Sequence, residues 1–476
     1  MLIPLKLVRD QPLQQQLYDQ LRELIAAARL QPGTRMPSTR MLAEQFSISR
    51  ITALLTYERL IAEGYLQTLP AKGTFVARGQ AGAAANFAAA IRTSPARTSP
   101  VARPADHASG GAIGQPDPAL FPAARWRALT RGALDRFGAR LAGEHASGHP
   151  RLRSAIAGWL STSRGLAVGA DQIILVNSRQ QALHIVGHLL LHPGSRAVVE
   201  DPCDPRAAGA FTSLGASLVR VPVDADGLCP ALLPHGRAAL VHVTPEHQRP
   251  LGVALSASRR IALLEWAANS GAVVVEEDCE GELRYRGMDV PPLMSLDQSG
   301  HVILIGGFCC SLGPWLTLGF LAVPPRLIPP ALAARRLIDD STRWLEETAL
   351  AEFLLGGGYA RHLHRLGKTY ASRRDALLGA LRKQFGKSTT TWSSGAGLHL
   401  AWVPPGHYGS LAGLARLAGD CGLDAAAPVT EGGGRGACQA LLLGFGALAE
   451  PQIEARVARF AAALRDDQPR SAIGAD

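Results

Sequence analysis

The chemistry this sequence could carry starts from its thiols. Seven cysteines are scattered through 476 residues, an odd number that argues against a disulfide framework and for reduced thiols. Thiolates are soft metal ligands and redox-active nucleophiles. Cys309 and Cys310 are adjacent, which is not the CxxC spacing of zinc sites, and a buried cysteine also serves simply as a small hydrophobe. Imine chemistry needs a lysine amine, and no lysine occurs between Lys72 and Lys368. Charge offers a second kind of chemistry. The chain carries a net charge of +10, and its first 78 residues hold ten Lys/Arg against six Asp/Glu. A basic balance raises affinity for a phosphate backbone without specifying a sequence.

The elements that must position these groups fall into distinct segments. Leu17, Leu21, Leu24 and Ala28 mark one face of an amphipathic helix that stops at Pro32-Gly33. A short helix carrying Met41, Leu42 and Phe46 follows Pro37-Ser38. A third starts from a Ser49 cap and turns Ala53, Tyr57, Leu60 and Ile61 inward. Residues 64–68 and 73–76 then read as two strands around a Pro70-Ala71-Lys72 turn. The run PGTRMPSTRMLAEQFSISRITALLTYERLIAEGYLQTLPAKGTFVA resembles the winged helix-turn-helix of GntR-type regulators. That resemblance implies that Arg40, Ser49, Arg50, Thr52, Lys72 and Gly73 touch double-stranded DNA. The recognition helix would offer its N-terminal side chains to the major groove, where arginine bridges guanine or pairs with phosphate.

Residues 79–113 are rich in Ala, Ser, Pro, Gly and Arg and have no hydrophobic periodicity, so they read as a flexible linker after a DNA-binding domain over 1–78. Apolar runs beyond it at 173–176, 197–199, 239–243, 273–276, 302–305 and 319–323 alternate with helical stretches. That pattern predicts a mostly parallel sheet covered on both faces over 114–345. A smaller α/β unit over 346–466 holds strands at 398–403 and 441–445, with a tail at 467–476. No apolar run is long enough to span a membrane, and the N-terminal segment has no export signal, so the expectation is a cytoplasmic protein with no membrane partner.

The segments GQPDPALFPAARWRAL, IILVNSRQQALHIVGHLLLHPG, VVEDPCDP, VTPEHQRPLG and VVVEEDCEGELRYRG resemble the fold-type I aminotransferase domain of MocR/GabR-like regulators over residues 114 to about 465. The resemblance implies an α/β aminotransferase-like fold, a homodimer and a pyridoxal phosphate sensor. Residue by residue, the cofactor set is altered. Cys310 stands at the lysine position, Thr317 at a phosphate-pairing arginine, Asp204 at the ring-stacking tyrosine, Cys279 at another tyrosine, and Leu442 near a carboxylate-gripping arginine. Glu277 stands at the pyridine-binding aspartate. The expectation is therefore a pseudoenzyme with no catalytic residues and no cofactor. Noncovalent pyridoxal phosphate, held by Ser178, Arg179 and Glu277, is the alternative. The resemblance also brings Cys203, Cys279, Cys309 and Cys310 near the vacated pocket, and His247 could add a nitrogen ligand. Four readings follow: a transcriptional regulator responding to an unknown small-molecule effector, a metal- or redox-responsive regulator built on the thiols, an architectural DNA-binding dimer with an empty pocket, and an aminotransferase-type enzyme, which would need the missing lysine.

Overall fold

A computed structural model describes residues 3–8, 12–70, 72–77, 113–135, 147–278, 280–285, 291–387, 389–392, 395–405, 408–428 and 440–467. The chain divides into two compact units, Met1–Pro100 and Val101–Asp476.

The first unit contains helices α1 (Leu13–Ala26), α2 (Thr39–Phe46) and α3 (Arg50–Ala62) and an antiparallel hairpin of β1 (Leu66–Leu69) and β2 (Gly73–Val76). Leu17, Leu21, Leu24 and Ile25 bury one face of α1 against Leu42, Ala53 and Leu60. Ala28 does not extend that face: the helix ends at Ala26, and the exposed Ala28 turns left-handed at φ 54°, ahead of the buried Leu30. Ser38 caps α2 by accepting from the Met41 N–H at 3.2 Å, and Ser49 caps α3 by accepting from the Thr52 N–H at 3.0 Å. Each cap satisfies a donor that the helix start would otherwise leave unpaired.

The second unit is built on an eight-stranded sheet in the order β3-β10-β9-β8-β7-β4-β5-β6. The strands are β3 (Ile173–Val176), β4 (Arg196–Asp201), β5 (Ser217–Asp224), β6 (Gly227–Leu228), β7 (Leu240–Val243), β8 (Val273–Asp278), β9 (Val302–Gly307) and β10 (Gly319–Ala322). Strands β9, β8, β7, β4 and β5 run parallel, whereas β10 pairs antiparallel with both β3 and β9. The continuous burial of β3, β7 and β9 is what a sheet covered on both faces demands. Helices α4 (Ala123–Asp135), α5 (Pro150–Arg164), α6 (Arg179–Leu190), α7 (Pro205–Ser213), α8 (Ala257–Ser270), α9 (Leu293–Leu296), α10 (Cys309–Leu312), α11 (Ile328–Ile338) and α12 (Trp344–Leu355) belong to this part of the fold.

The long helix α13 (Gly358–Phe385) leads into an antiparallel sheet, β11-β12-β14-β13, made of β11 (Thr390–Trp392), β12 (His399–Val403), β13 (Asp424–Ala426) and β14 (Leu441–Gly444). Helices α14 (Leu411–Asp420) and α15 (Glu450–Asp467) complete it. Leu381, Trp402, Val457 and Phe460 form its core. The sequence pattern missed β5, β6, β11 and β13. In β5, Pro222 and the alternating exposure of SLVRVPVD belong near a sheet margin, where such residues are tolerated. The linker expected over 79–113 lies, up to residue 112, outside the described residues, as do residues 468–476 of the expected tail.

Candidate functional site

In the first unit, the left-handed Ser47 at φ 51° makes the sharp turn that sets α3 against α2. Arg40 and Arg50 are exposed near the starts of α2 and α3. Arg40 Nε donates to Glu44 one turn on at 3.0 Å, a weak exposed pair that a phosphate could displace. The Ser49 hydroxyl is engaged by its cap and lies 2.8 Å from Thr52 Oγ1. Lys72 sits in the hairpin turn and Gly73 opens β2, where a φ of +107° favours a residue without a side chain. Three large apolar residues of α3 stand outside its core face. Ile51, at 68% exposure, and the exposed Leu54 and Leu55 lie off its buried stripe. Their period already separated them from Ala53, Tyr57 and Leu60.

In the second unit, the carboxyl ends of β4, β7 and β8 converge with the N-terminus of α6, the place where open α/β sheets bind ligands. Glu277 sits near the end of β8. Arg179, the first residue of α6, donates to it through Nε and through Nη2 at 2.7 Å, and its Nη1 lies 3.0 Å from Asp204. His242 Nε2 lies 3.0 Å from the same Glu277 carboxylate. Burial alone would raise Glu277, but the Arg179 charge and the hydrogen bonds from His242 and Arg179 outweigh it and hold the carboxyl well below the usual range. Asp204 caps α7 by accepting from the Arg206 N–H at 2.9 Å, and Ser178 caps α6 by accepting from Gln181 at 3.0 Å. Arg249 reaches Glu280 through Nη1 and approaches Asp204. The space left among Thr244, His247, Arg249, Glu277, Asp278 and Glu280 is about 10 Å³, room for about one water.

The remaining expected positions divide. Thr317 donates to the Asn177 carbonyl at 2.7 Å and so lies at the rim of α6. Leu442 does not join this group: it is buried with Val223, Leu251 and Ala401 in a separate apolar cluster. Cys309 and Cys310 place their sulfurs 3.9 Å apart as free thiols. The contact between them lowers Cys309 and raises Cys310. Cys203 turns to Arg220, whose Nη1 is 3.6 Å from its sulfur, and burial pushes this thiol up to about 11. Cys279 lies outside the described residues. Among those residues, no grouping of three metal-donor side chains includes a cysteine.

A winged helix and an aminotransferase-type sheet with a charge-filled pocket define the class. Residues 13–76 match the family described as bacterial regulatory proteins, gntR family, and residues 112–398 match aminotransferase class I and II. The chain belongs to the MocR-type GntR transcriptional regulators, which carry an aminotransferase-like domain. It is 35% identical to the "Probable rhizopine catabolism regulatory protein MocR" of Rhizobium meliloti, over 82% of this chain and 81% of that one. It is 33% identical to the HTH-type pyridoxine biosynthesis transcriptional regulator PdxR of Corynebacterium glutamicum, over 77% and 78%. The kynurenine aminotransferase of Pyrococcus horikoshii, solved in complex with PMP, superposes with a TM-score of 0.67 at 25% identity, covering 75% of this chain and 91% of that one. Among the described residues, no helix is long and apolar enough to cross a membrane.

Family membership corrects the expectation of a domain without a cofactor. The matched family is that of class I and II aminotransferases, and a solved relative holds PMP, so pyridoxal phosphate is the cofactor class the fold brings with it. The side chains fit part of that group. Glu277 is a carboxylate suited to a pyridinium nitrogen, and the Ser178-capped start of α6 suits a phosphate. They do not fit its covalent attachment, because no lysine lies between Lys72 and Lys368.

Proposed function

We propose that this regulator binds DNA through residues 1–78 and that its large unit, divided into parts at 114–345 and 346–466, dimerises and does not transaminate. The observation that carries the second point is the engagement of Glu277 by Arg179 and His242 in a stretch of chain with no lysine. A thiol adds to an aldehyde only as a reversible hemithioacetal, so Cys310 supplies no conjugated imine and none of the electron withdrawal that transamination requires. Exposed Arg40 and Arg50, the Ser49 and Thr52 end of α3, and Lys72 and Gly73 in the wing form the proposed reading surface.

A dimer presents two such surfaces to paired half-sites. Gel-shift titration on DNA upstream of the chain's own gene, run beside light scattering and a keto-acid assay with added pyridoxal phosphate, tests the reading. The expected result is saturable, salt-sensitive binding by a dimer with no keto acid formed. Turnover of an amino acid by the purified chain would overturn the non-catalytic assignment, and a monomer that still binds DNA would overturn the dimer.

A further inference from the structure

One cluster beside the pocket is explained neither by DNA reading nor by the aminotransferase ancestry. His247 lies in the loop after β7, Glu280 just beyond β8, and His399 at the start of β12. All three are buried. His247 Nε2 is 3.2 Å from Glu280 Oε2 and 3.4 Å from His399 Nδ1, and the third edge, His399 Nδ1 to Glu280 Oε2, is 3.9 Å. Ligands at zinc's bond lengths of roughly 2.0–2.2 Å in a tetrahedron stand about 3.3–3.6 Å apart. We propose that His247, Glu280 and His399 form a three-ligand site for a divalent transition-metal ion of the zinc class, with the small cavity beside His247 and Glu280 supplying a fourth, water-filled position.

The hydrogen-bond pattern points the same way. His399 Nε2 lies 2.8 Å from the Pro250 carbonyl, which can only accept. That nitrogen therefore carries the ring's proton, and Nδ1 turns a lone pair toward the other two residues, the orientation that outer-sphere carbonyls impose on metal-binding histidines. Glu280 uses Oε1 for Arg249, while no hydrogen bond of normal geometry reaches its buried Oε2 among the described residues. Two acceptor atoms thus face His247 Nε2, and a single imidazole proton cannot satisfy both. A cation can satisfy all three.

Burial disfavours a charged imidazole at both His247 and His399, and the Arg249 guanidinium favours the ionised form of Glu280. Two neutral imidazoles and a carboxylate suit zinc and its neighbours in the first row. Gly397 keeps the approach open. At φ +77°, a Cβ there would stand 2.4 Å from both Glu280 Oε2 and His247 Nε2. Arg249 is the competing charge, since its guanidinium already holds the other Glu280 oxygen.

The site is independent of the non-catalytic reading and is tested on the metal-stripped full chain. Titration with Zn²⁺ against a chromophoric chelator should show one saturable site per chain. Co²⁺ should give the visible absorption of a four-coordinate ion. Glu280→Gln and His399→Ala should each weaken binding by more than the roughly 10–100-fold that loss of a supporting contact costs. Arg249→Gln should tighten it, a gain that misfolding cannot imitate. Blocking the thiols with N-ethylmaleimide should leave binding unchanged. The absence of saturable Zn²⁺ binding by the parent chain overturns the proposal. So does binding that survives both ligand variants or that disappears on thiol alkylation.

Discussion

Replacing Arg179 by alanine tests whether this pocket is held by charge. The variant leaves Glu277, whose side chain is 1% exposed, without its bidentate partner, and Asp204, 9% exposed, without its nearest cation. Removing one member of a buried pair costs about 3–5 kcal/mol, because the remaining charge stays desolvated. His242 still reaches Glu277 and Arg249 still approaches Asp204, so the loss falls near the lower figure, about 3 kcal/mol, or a drop of about 4 °C in the melting transition of the large unit. Calorimetry on the parent, Arg179→Ala, Glu277→Gln and the double variant measures the coupling. Arg179→Ala/Glu277→Gln should regain most of the loss, since no buried charge is then left alone at Glu277.

The pH dependence gives a second readout. Glu277 lies below its unfolded value in the parent, so its stabilisation is present above that value and is lost only in strong acid. In Arg179→Ala, burial dominates and the carboxyl moves up, so the variant regains stability relative to the parent as pH falls from 7 toward 5. A loss under about 1 kcal/mol, or a deficit that does not shrink on acidification, would refute the reasoning.

Arg50→Ala should weaken operator binding by about 1–3 kcal/mol if it contacts a base, and unchanged affinity in Arg40→Ala/Arg50→Ala by gel shift would remove both from the reading surface. Ser49→Ala removes the α3 cap and should cost about 1 kcal/mol in the melting of the first unit, with Ser49→Gly losing less. Burial pushes Glu200 and Glu276 up to about 7. Their folded values lie above the unfolded one, so they stabilise the fold most below about pH 4.5 and lose that contribution as pH rises toward 7. Glu200→Gln/Glu276→Gln should flatten this part of the stability profile, and an unchanged slope in denaturant titrations between pH 5 and 8 would contradict the assignment.

Local signals in the sequence were strong where one force dominates. Ser38 and Ser49 announce helix starts because a hydroxyl satisfies an N–H that nothing else can reach, and β3, β7 and β9 are legible because a strand buried on both faces has to be apolar throughout. The margins of the sheets were less legible. Strands β11 and β13 are three residues each, and their pairing depends on β12 and β14 rather than on any period of their own. Cys203 and the Cys309-Cys310 pair were visible as donors, whereas Glu280 and His399 lie 119 positions apart in the sequence and acquire meaning only when β12 is brought beside the loop after β8.

The pocket shows why substitutions read one at a time gave an incomplete account. Taken singly, Asp204 in place of an aromatic ring and Cys310 in place of lysine are losses. Taken together with Arg179 and Arg249, Asp204 is half of a new arrangement in which the guanidiniums and carboxylates pair within hydrogen-bonding range. No member could persist alone, since an unpaired buried charge costs several kcal/mol while a hydrogen-bonded pair approaches neutrality. An arginine at 179 therefore requires the acids that face it. Arg179 also matches that role in shape: its planar fork meets Glu277 with two nitrogens and still turns the third to Asp204, which a lysine's single ammonium could not do. Any ligand that takes up Glu277 has to compete with this fork for the carboxylate.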